Sequence, residues 1–141
     1  GLDADGVNKV LNKKSGFLGV SGVSSDGRDI TKAASEGNYR AALSQEMFAH
    51  SVKKYIGAFS AVMGGLDMII FTGGIGENDS AARERVCSTL GYLGVDFDSE
   101  VNATIHGDDA ILTKEGSKVK VAAIATNEEL VIATDTMNLV K

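Results

Sequence analysis

Three short stretches of this 141-residue chain carry side chains whose types and spacing could do chemistry. The first is Thr72-Gly73-Gly74-Ile75-Gly76-Glu77-Asn78-Asp79. Glycines at this density let the backbone turn sharply or lie close against a flat ligand, and the polar residues that follow suit a helix N-terminus. Gly74-Ile75-Gly76 supplies the first half of a dinucleotide fingerprint, but Asp79 holds the third glycine position, where an acid would face a pyrophosphate. Asp96 lies about 20 residues further on, in a loop rather than at a strand end. A tight structural turn is the competing reading. The second stretch is Thr126-Asn127-Glu128-Glu129. Thr126 as N-cap with Glu129 three residues on forms a capping box, which leaves Glu128 without a structural duty. Such a carboxylate suits Mg²⁺, which takes one or two protein carboxylates and completes its shell with water and phosphate. It equally suits a first-turn acid favoured by the helix dipole. In the third, Asp26-Gly27-Arg28-Asp29, a guanidinium could stack on a base and a carboxylate could bond a sugar or base edge, against the default of a solvated turn.

These stretches need elements to position them. Met68 to Phe71 is a short uninterrupted apolar run, which predicts a strand buried on both faces and ending in the glycine turn. Ala81 to Leu90 follows as a helix, so the turn sits between a strand and a helix N-terminus, the geometry that holds nucleotides at the carboxyl end of a parallel sheet. Lys118 to Ala125 predicts a second strand leading into Thr126, from which a last helix runs to about Asn138. Ala110 to Leu112 is a candidate short strand, and Val95 to Asn102 reads as loop. Upstream, Val7, Val10 and Leu11 have helical spacing, ended at Ser15-Gly16. Phe17 to Ser25 is glycine-rich and reads as an extended segment or loop. Ile30 to Glu36 predicts a short helix. From Asn38 to about Met63 runs the longest element, with Leu43, Met47, Phe48, Val52, Tyr55, Ile56, Phe59, Val62 and Met63 in one apolar stripe that should anchor the core. Gln45, Glu46, Lys53 and Lys54 mark its expected wet side.

Composition removes several classes of function. A net charge of −5 argues against a nucleic-acid partner. No apolar run approaches the roughly 20 residues of a membrane span, and no signal-peptide pattern is present, so the expected location is cytoplasmic. Cys87 is the single cysteine, which excludes disulfide frameworks and cysteine-based zinc sites and suits a small core residue. His50 and His106 have no paired ligand and are poor metal candidates. The chain begins Gly-Leu-Asp-Ala, which reads as a piece of a longer protein.

Four stretches in register, Ser21–Asp29, Tyr55–Phe59, Phe71–Asn78 and Thr126–Leu130, resemble the C-terminal half of the acetokinase family, within the sugar kinase, actin and Hsp70 superfamily. The resemblance covers essentially the whole chain. It implies an α/β fold: a ribonuclease H-like (actin-like ATPase) domain with a mixed sheet flanked by helices, one of them long and amphipathic. It also implies that residues 1–141 are the nucleotide-binding and dimerisation domain of a two-domain kinase whose N-terminal domain lies outside this chain. Family members use Mg²⁺ and transfer the γ-phosphoryl group of ATP to a short carboxylate, giving an acyl phosphate and ADP. By resemblance, Asp26, Gly27 and Arg28 would contact the adenosine end, and Gly74, Ile75, Gly76, Glu77 and Asn78 would line its other side. Glu128 would be the Mg²⁺ residue. Gly27 stands where relatives commonly carry a hydrophobic residue, and His50 where they often carry Arg. The carboxylate-binding and charge-neutralising residues of the family belong to the other half, so no residue here is expected to be the catalytic electrophile or base, and the isolated chain should lack turnover. Acetate is the expected acceptor, with propionate or butyrate as alternatives sharing every motif. A non-catalytic nucleotide-binding or dimerisation module is the reading from a different class.

Overall fold

The computed structural model describes residues 1–140 and resolves into two compact units, Gly1–Gly64 and Gly65–Lys141. The first is all-helical. Helix α1 (Ala4–Lys13) starts at Asp3, whose carboxylate accepts the Gly6 N–H at 2.8 Å. Helix α2 (Gly16–Ser21) occupies the first part of the stretch read as an extended segment or loop. Packing overrides its glycine content: the Phe17 ring meets Phe48 at 5.6 Å between centroids, and Arg40 Nε donates to the Val20 carbonyl at 2.7 Å. Helix α3 (Gly27–Ser35) begins three residues before the predicted start, because Asp26 caps it. Helix α4 (Tyr39–Met63) matches the long predicted helix, with Asn38 capping its start and Gly64, at φ 76°, ending it.

The face of α4 that forms the core differs from the expected stripe. Its buried residues are Ala41, Ser44, Gln45, Ala49 and Ser60, while Leu43, Met47, Tyr55, Phe59, Val62 and Met63 are exposed. Helices α2 and α3 pack on α4, and small side chains there permit close approach. At six and nine residues they extend only about 9 and 13 Å, against about 37 Å for the 25 residues of α4, so most of the apolar circumference stays uncovered within this unit. Gln45, expected on the wet side, is buried and donates to Thr31 Oγ1 at 2.9 Å. Ile30 is the fully buried anchor of α3.

The second unit is α/β. Strand β1 (Met68–Phe71) pairs in parallel with β3 (Lys120–Ala123), and β2 (Ala110–Ile111) pairs antiparallel on the far side, giving the order β1-β3-β2. The middle strand is therefore β3, with Val121, Ala122 and Ala123 buried. Strand β1, expected to be buried on both faces, is an edge strand with Met68 and Ile70 exposed and Ile69 and Phe71 half-buried. Among the described residues the unit also has the α-helices α5 (Gly73–Asn78), α6 (Ser80–Cys87), α7 (Ser99–Thr104) and α8 (Glu128–Leu139), with a short 3-10 turn at Gly91–Leu93. Helix α7 lies partly within the segment read as loop; Asp98 caps it by accepting the Val101 N–H at 3.0 Å. Val86, Cys87, Leu90, Leu112 and Val119 join β3 in the core. Cys87 is buried as expected. No described helix is long and apolar enough to cross a membrane.

Candidate functional site

At the carboxyl end of β1 the chain passes through extended Thr72 into Gly73, which adopts φ +69°, a conformation that disfavours any side chain. Helix α5 then folds straight back over the strand end. A Cβ on Gly76 would lie 3.0 Å from the Phe71 carbonyl carbon, so Gly76 is what allows α5 to sit so close to β1. Gly74 faces open space. Its carbonyl accepts from Asn78 Nδ2 at 3.1 Å, and the Asn78 carbonyl meets His106 Nδ1 at 3.2 Å. Asp79, the acid at the third fingerprint position, caps α6 by accepting the Ala82 N–H at 2.8 Å. Asp96 pairs with Lys114 at 3.2 Å. Both acids thus have local duties that differ from those of a dinucleotide fingerprint.

Strand β3 delivers Thr126 to the same place. Glu77 Oε1 accepts the Gly73 N–H at 2.8 Å, the Thr126 N–H at 2.8 Å and the Thr126 hydroxyl at 2.7 Å, with Thr72 Oγ1 at 3.5 Å. The Thr126 amide and hydroxyl, followed by the Gly73 N–H, hold the Glu77 carboxyl below the usual glutamate range. This corrects the expected capping box. The Thr126 hydroxyl is engaged by Glu77, so the N-cap moves one residue on to Asn127, whose side-chain oxygen accepts the Leu130 N–H at 3.0 Å. Glu128 and Glu129 become the opening residues of α8, where the helix dipole favours negative charge.

Gly73, Gly74, Thr126, Asn127, Glu128 and Glu129 line one open cleft of about 340 Å³. Glu128 is exposed, and among the described residues its carboxylate has no hydrogen-bond or ion-pair partner. No cluster of three or more His, Cys, Asp or Glu side chains able to hold a metal occurs among the described residues. That donor set does not suit a structural zinc or calcium cage, but it fits Mg²⁺, which needs only one or two carboxylates beside phosphate and water. A larger concavity of about 500 Å³, lined by Gly91, Tyr92, Asp96, Gly116 and Lys118 among others, contains none of the residues that the resemblance assigns to the nucleotide or Mg²⁺.

Asp26, Gly27 and Arg28 belong to the first unit, and the other candidates to the second. Asp26 Oδ1 accepts the Arg28 N–H at 2.8 Å and Arg28 Nε at 3.1 Å, while Arg28 Nη2 reaches Asp26 Oδ2 at 2.6 Å. This two-pronged pairing lowers the Asp26 carboxyl to about 2 and leaves the guanidinium face in solvent. A Cβ on Gly27 would meet nothing within 4 Å, so the position has room for a larger side chain.

Sequence reading missed the group that supports the glycine segment from beneath. Arg83 is fully buried, and among the described residues no carboxylate neutralises it by direct contact. Its Nη1 donates to the carbonyls of Gly76 at 2.8 Å and Glu77 at 2.9 Å, and its Nη2 to those of Asn102 at 3.3 Å and Ile105 at 2.7 Å. Nε donates to Asn102 Oδ1 at 2.8 Å. Burial draws its pKa down from the usual arginine value, with Asp79 opposing. The cation sits at the carboxyl ends of α5 and α7, where orphan carbonyls and helix dipoles compensate it. One of two arginines in a short polar helix gives no sign of this role in the sequence.

The sequence profile of the acetokinase family matches residues 1–134. The chain is 50% identical to acetate kinase of Bacteroides thetaiotaomicron over all 141 residues, which are 35% of that protein. It superposes on the crystal structure of Porphyromonas gingivalis acetate kinase with a TM-score of 0.90 at 48% identity, covering 99% of this chain and 35% of that one. A propionate kinase from Francisella tularensis is also similar, with a TM-score of 0.81 at 35% identity over 94% of this chain and 33% of that one. The chain thus spans about a third of the length of these relatives, and its architecture is the actin-like ATPase fold of the acetate kinases. With the family match covering nearly all of its residues, this chain belongs to the acetokinase family.

Proposed function

We propose that the chain is the nucleotide- and Mg²⁺-binding C-terminal part of an acetate kinase, which transfers the γ-phosphoryl group of ATP to acetate, giving acetyl phosphate and ADP. The observation that carries this reading is the meeting of Gly74 and the unpartnered Glu128 carboxylate in one cleft at the start of α8. With no Cβ at Gly74, a nucleotide can lie against the backbone, and the first N–H groups of α8 favour anionic oxygens. Glu128 would hold Mg²⁺, whose charge offsets that of the phosphates. Asp26 orients the Arg28 guanidinium, whose free face would meet the adenosine end. Ile75, Gly76 and Asn78 would extend the wall formed by Gly73 and Gly74 beyond the residues that line the cleft, whereas the Glu77 carboxylate is bonded to Gly73 and Thr126. The carboxylate substrate would be bound by the part of the enzyme outside this chain. Its oxygen attacks the γ-phosphorus, the bond to the bridging oxygen breaks, and ADP leaves.

Acetate is favoured over propionate by the higher identity and closer superposition of the acetate kinases. The exposed Leu43, Met47, Tyr55 and Phe59 on α4, and Leu130, Ile132 and Leu139 on α8, suit burial in a homodimer. A cytoplasmic location fits a reaction that consumes ATP. A chimera tests the function: this chain replaces the corresponding segment of the Bacteroides thetaiotaomicron acetate kinase. The folded chimera should form acetyl phosphate from ATP and acetate, and lose that activity on Glu128→Ala. A folded, inactive chimera, or one indifferent to Glu128→Ala, would overturn the assignment.

A further inference from the structure

Glu77 is within the glycine segment, yet it is absent from the lining of the cleft, while two of its hydrogen-bond partners, Gly73 and Thr126, form part of that lining. Its Oε1 accepts from donors as far as 49 positions away in the chain. A carboxylate directed at a polyphosphate would repel it; one already bonded to two backbone N–H groups and a hydroxyl has its charge compensated in place. We propose that Glu77 is a positioning residue and not a nucleotide ligand. Its carboxylate clips the Thr72–Gly74 turn to the start of α8, and so fixes Glu128 relative to the open face of Gly74. It does so in two ways. It ties the two loops together, and by occupying the Thr126 hydroxyl it moves the helix cap to Asn127, which sets where Glu128 falls in the first turn of α8. A second tie, from the Ala125 N–H to Asp109 Oδ1 at 2.8 Å, holds the same loop from the β2 side, so Glu77 governs local alignment rather than whether the loop is attached at all. The part played by this clip in catalysis rests on the reading of the cleft given above; the clip itself does not.

Amide hydrogen exchange on the ligand-free chain separates the two. Glu77→Ala should accelerate exchange at Gly73 and Thr126 by about tenfold or more while β3 and α6 keep their protection. Glu77→Gln, whose amide oxygen still accepts, should fall between. Thr126→Val, which leaves Glu77 in place, should also accelerate exchange at Gly73, far away in sequence. Titration with ADP and Mg²⁺ supplies the second readout. Each single variant should weaken Mg²⁺-dependent binding, and the double variant Glu77→Ala/Thr126→Val should lose no more than Glu77→Ala alone, because both break one clip. Unchanged exchange at Gly73 and Thr126 would overturn the proposal, as would acceleration spread over the whole unit or fully additive losses of affinity. If the variants showed this exchange pattern while the wild-type chain bound no ADP, the functional reading would fail and the clip would stand.

Discussion

Arg83→Ala should be among the most damaging single substitutions in the second unit. The side chain is fully buried and makes five hydrogen bonds, to the carbonyls of Gly76, Glu77, Asn102 and Ile105 and to the Asn102 side chain. Two of those acceptors keep another donor after truncation: the Glu77 carbonyl retains the Gly107 N–H, and the Asn102 carbonyl the Ile105 N–H. The Gly76 and Ile105 carbonyls and Asn102 Oδ1 lose the partner that Arg83 supplied. At about 1–3 kcal/mol for each buried polar group left unsatisfied, with water entering the vacated space and the cost of burying the cation recovered, a net loss of about 3–5 kcal/mol is expected. A domain's whole stability is roughly 5–15 kcal/mol, so the variant should be marginal at best. Urea unfolding followed by circular dichroism measures the loss, and exchange protection of β3 assigns it to this unit. Arg83→Met separates polar from packing contributions. It fills much of the volume but leaves the same acceptors unpaired, so it should recover less than half of the loss. Near-complete recovery by Met, or a loss below about 1 kcal/mol in the Ala variant, would refute the view that the guanidinium holds the ends of α5 and α7 together.

Three further outcomes are expected. Ile30→Ala removes the fully buried anchor of α3 and should destabilise the first unit by about 2–4 kcal/mol in urea unfolding, against about 1 kcal/mol for Ile30→Val. Cys87 is buried and its thiol is pushed up to about 12, so a thiol reagent at pH 8 should label it only at the rate of unfolding, and addition of urea should make labelling immediate. The Asp26 carboxyl, lowered to about 2 by Arg28, contributes stability that is present above the unfolded aspartate value near ~3.9 and is lost as pH falls through about 2. Nuclear magnetic resonance titration of its carboxyl carbon should show that low midpoint, and Arg28→Gln should raise it toward the ordinary range.

Much of the fold was legible because its signals are local. The 3.6-residue spacing and the glycine at its end placed α4, the apolar run Met68–Phe71 placed β1, and the Thr-Asn-Glu-Glu stretch placed the start of α8 to within one or two residues. What the sequence misjudged was which face is covered. The stripe on α4 and the run in β1 are both apolar, yet in this chain small residues on α4 and the neighbour β3 are the buried ones, because burial depends on the length and placement of partners that periodicity does not specify. The candidate site shows the same division. Gly74 and Glu128 are named by the family resemblance of their motifs, local pattern alone leaving a structural turn and a first-turn acid as competing readings, whereas the Thr126 clip and the Arg83 support depend on residues brought together across 49 and 22 positions of chain. Asn127 took the cap for the same reason: a tertiary hydrogen bond claimed the threonine that local rules had assigned to it.

The most direct test of the central claim is calorimetric titration of the chain with ADP, with and without Mg²⁺, on the wild type and on Glu128→Ala. The cleft between Gly74 and Glu128 predicts ADP binding that Mg²⁺ strengthens in the wild type, and an affinity in Glu128→Ala that no longer responds to Mg²⁺. A folded wild-type chain whose ADP affinity is the same with and without Mg²⁺, or a Glu128→Ala variant that keeps the full Mg²⁺ response, would contradict it.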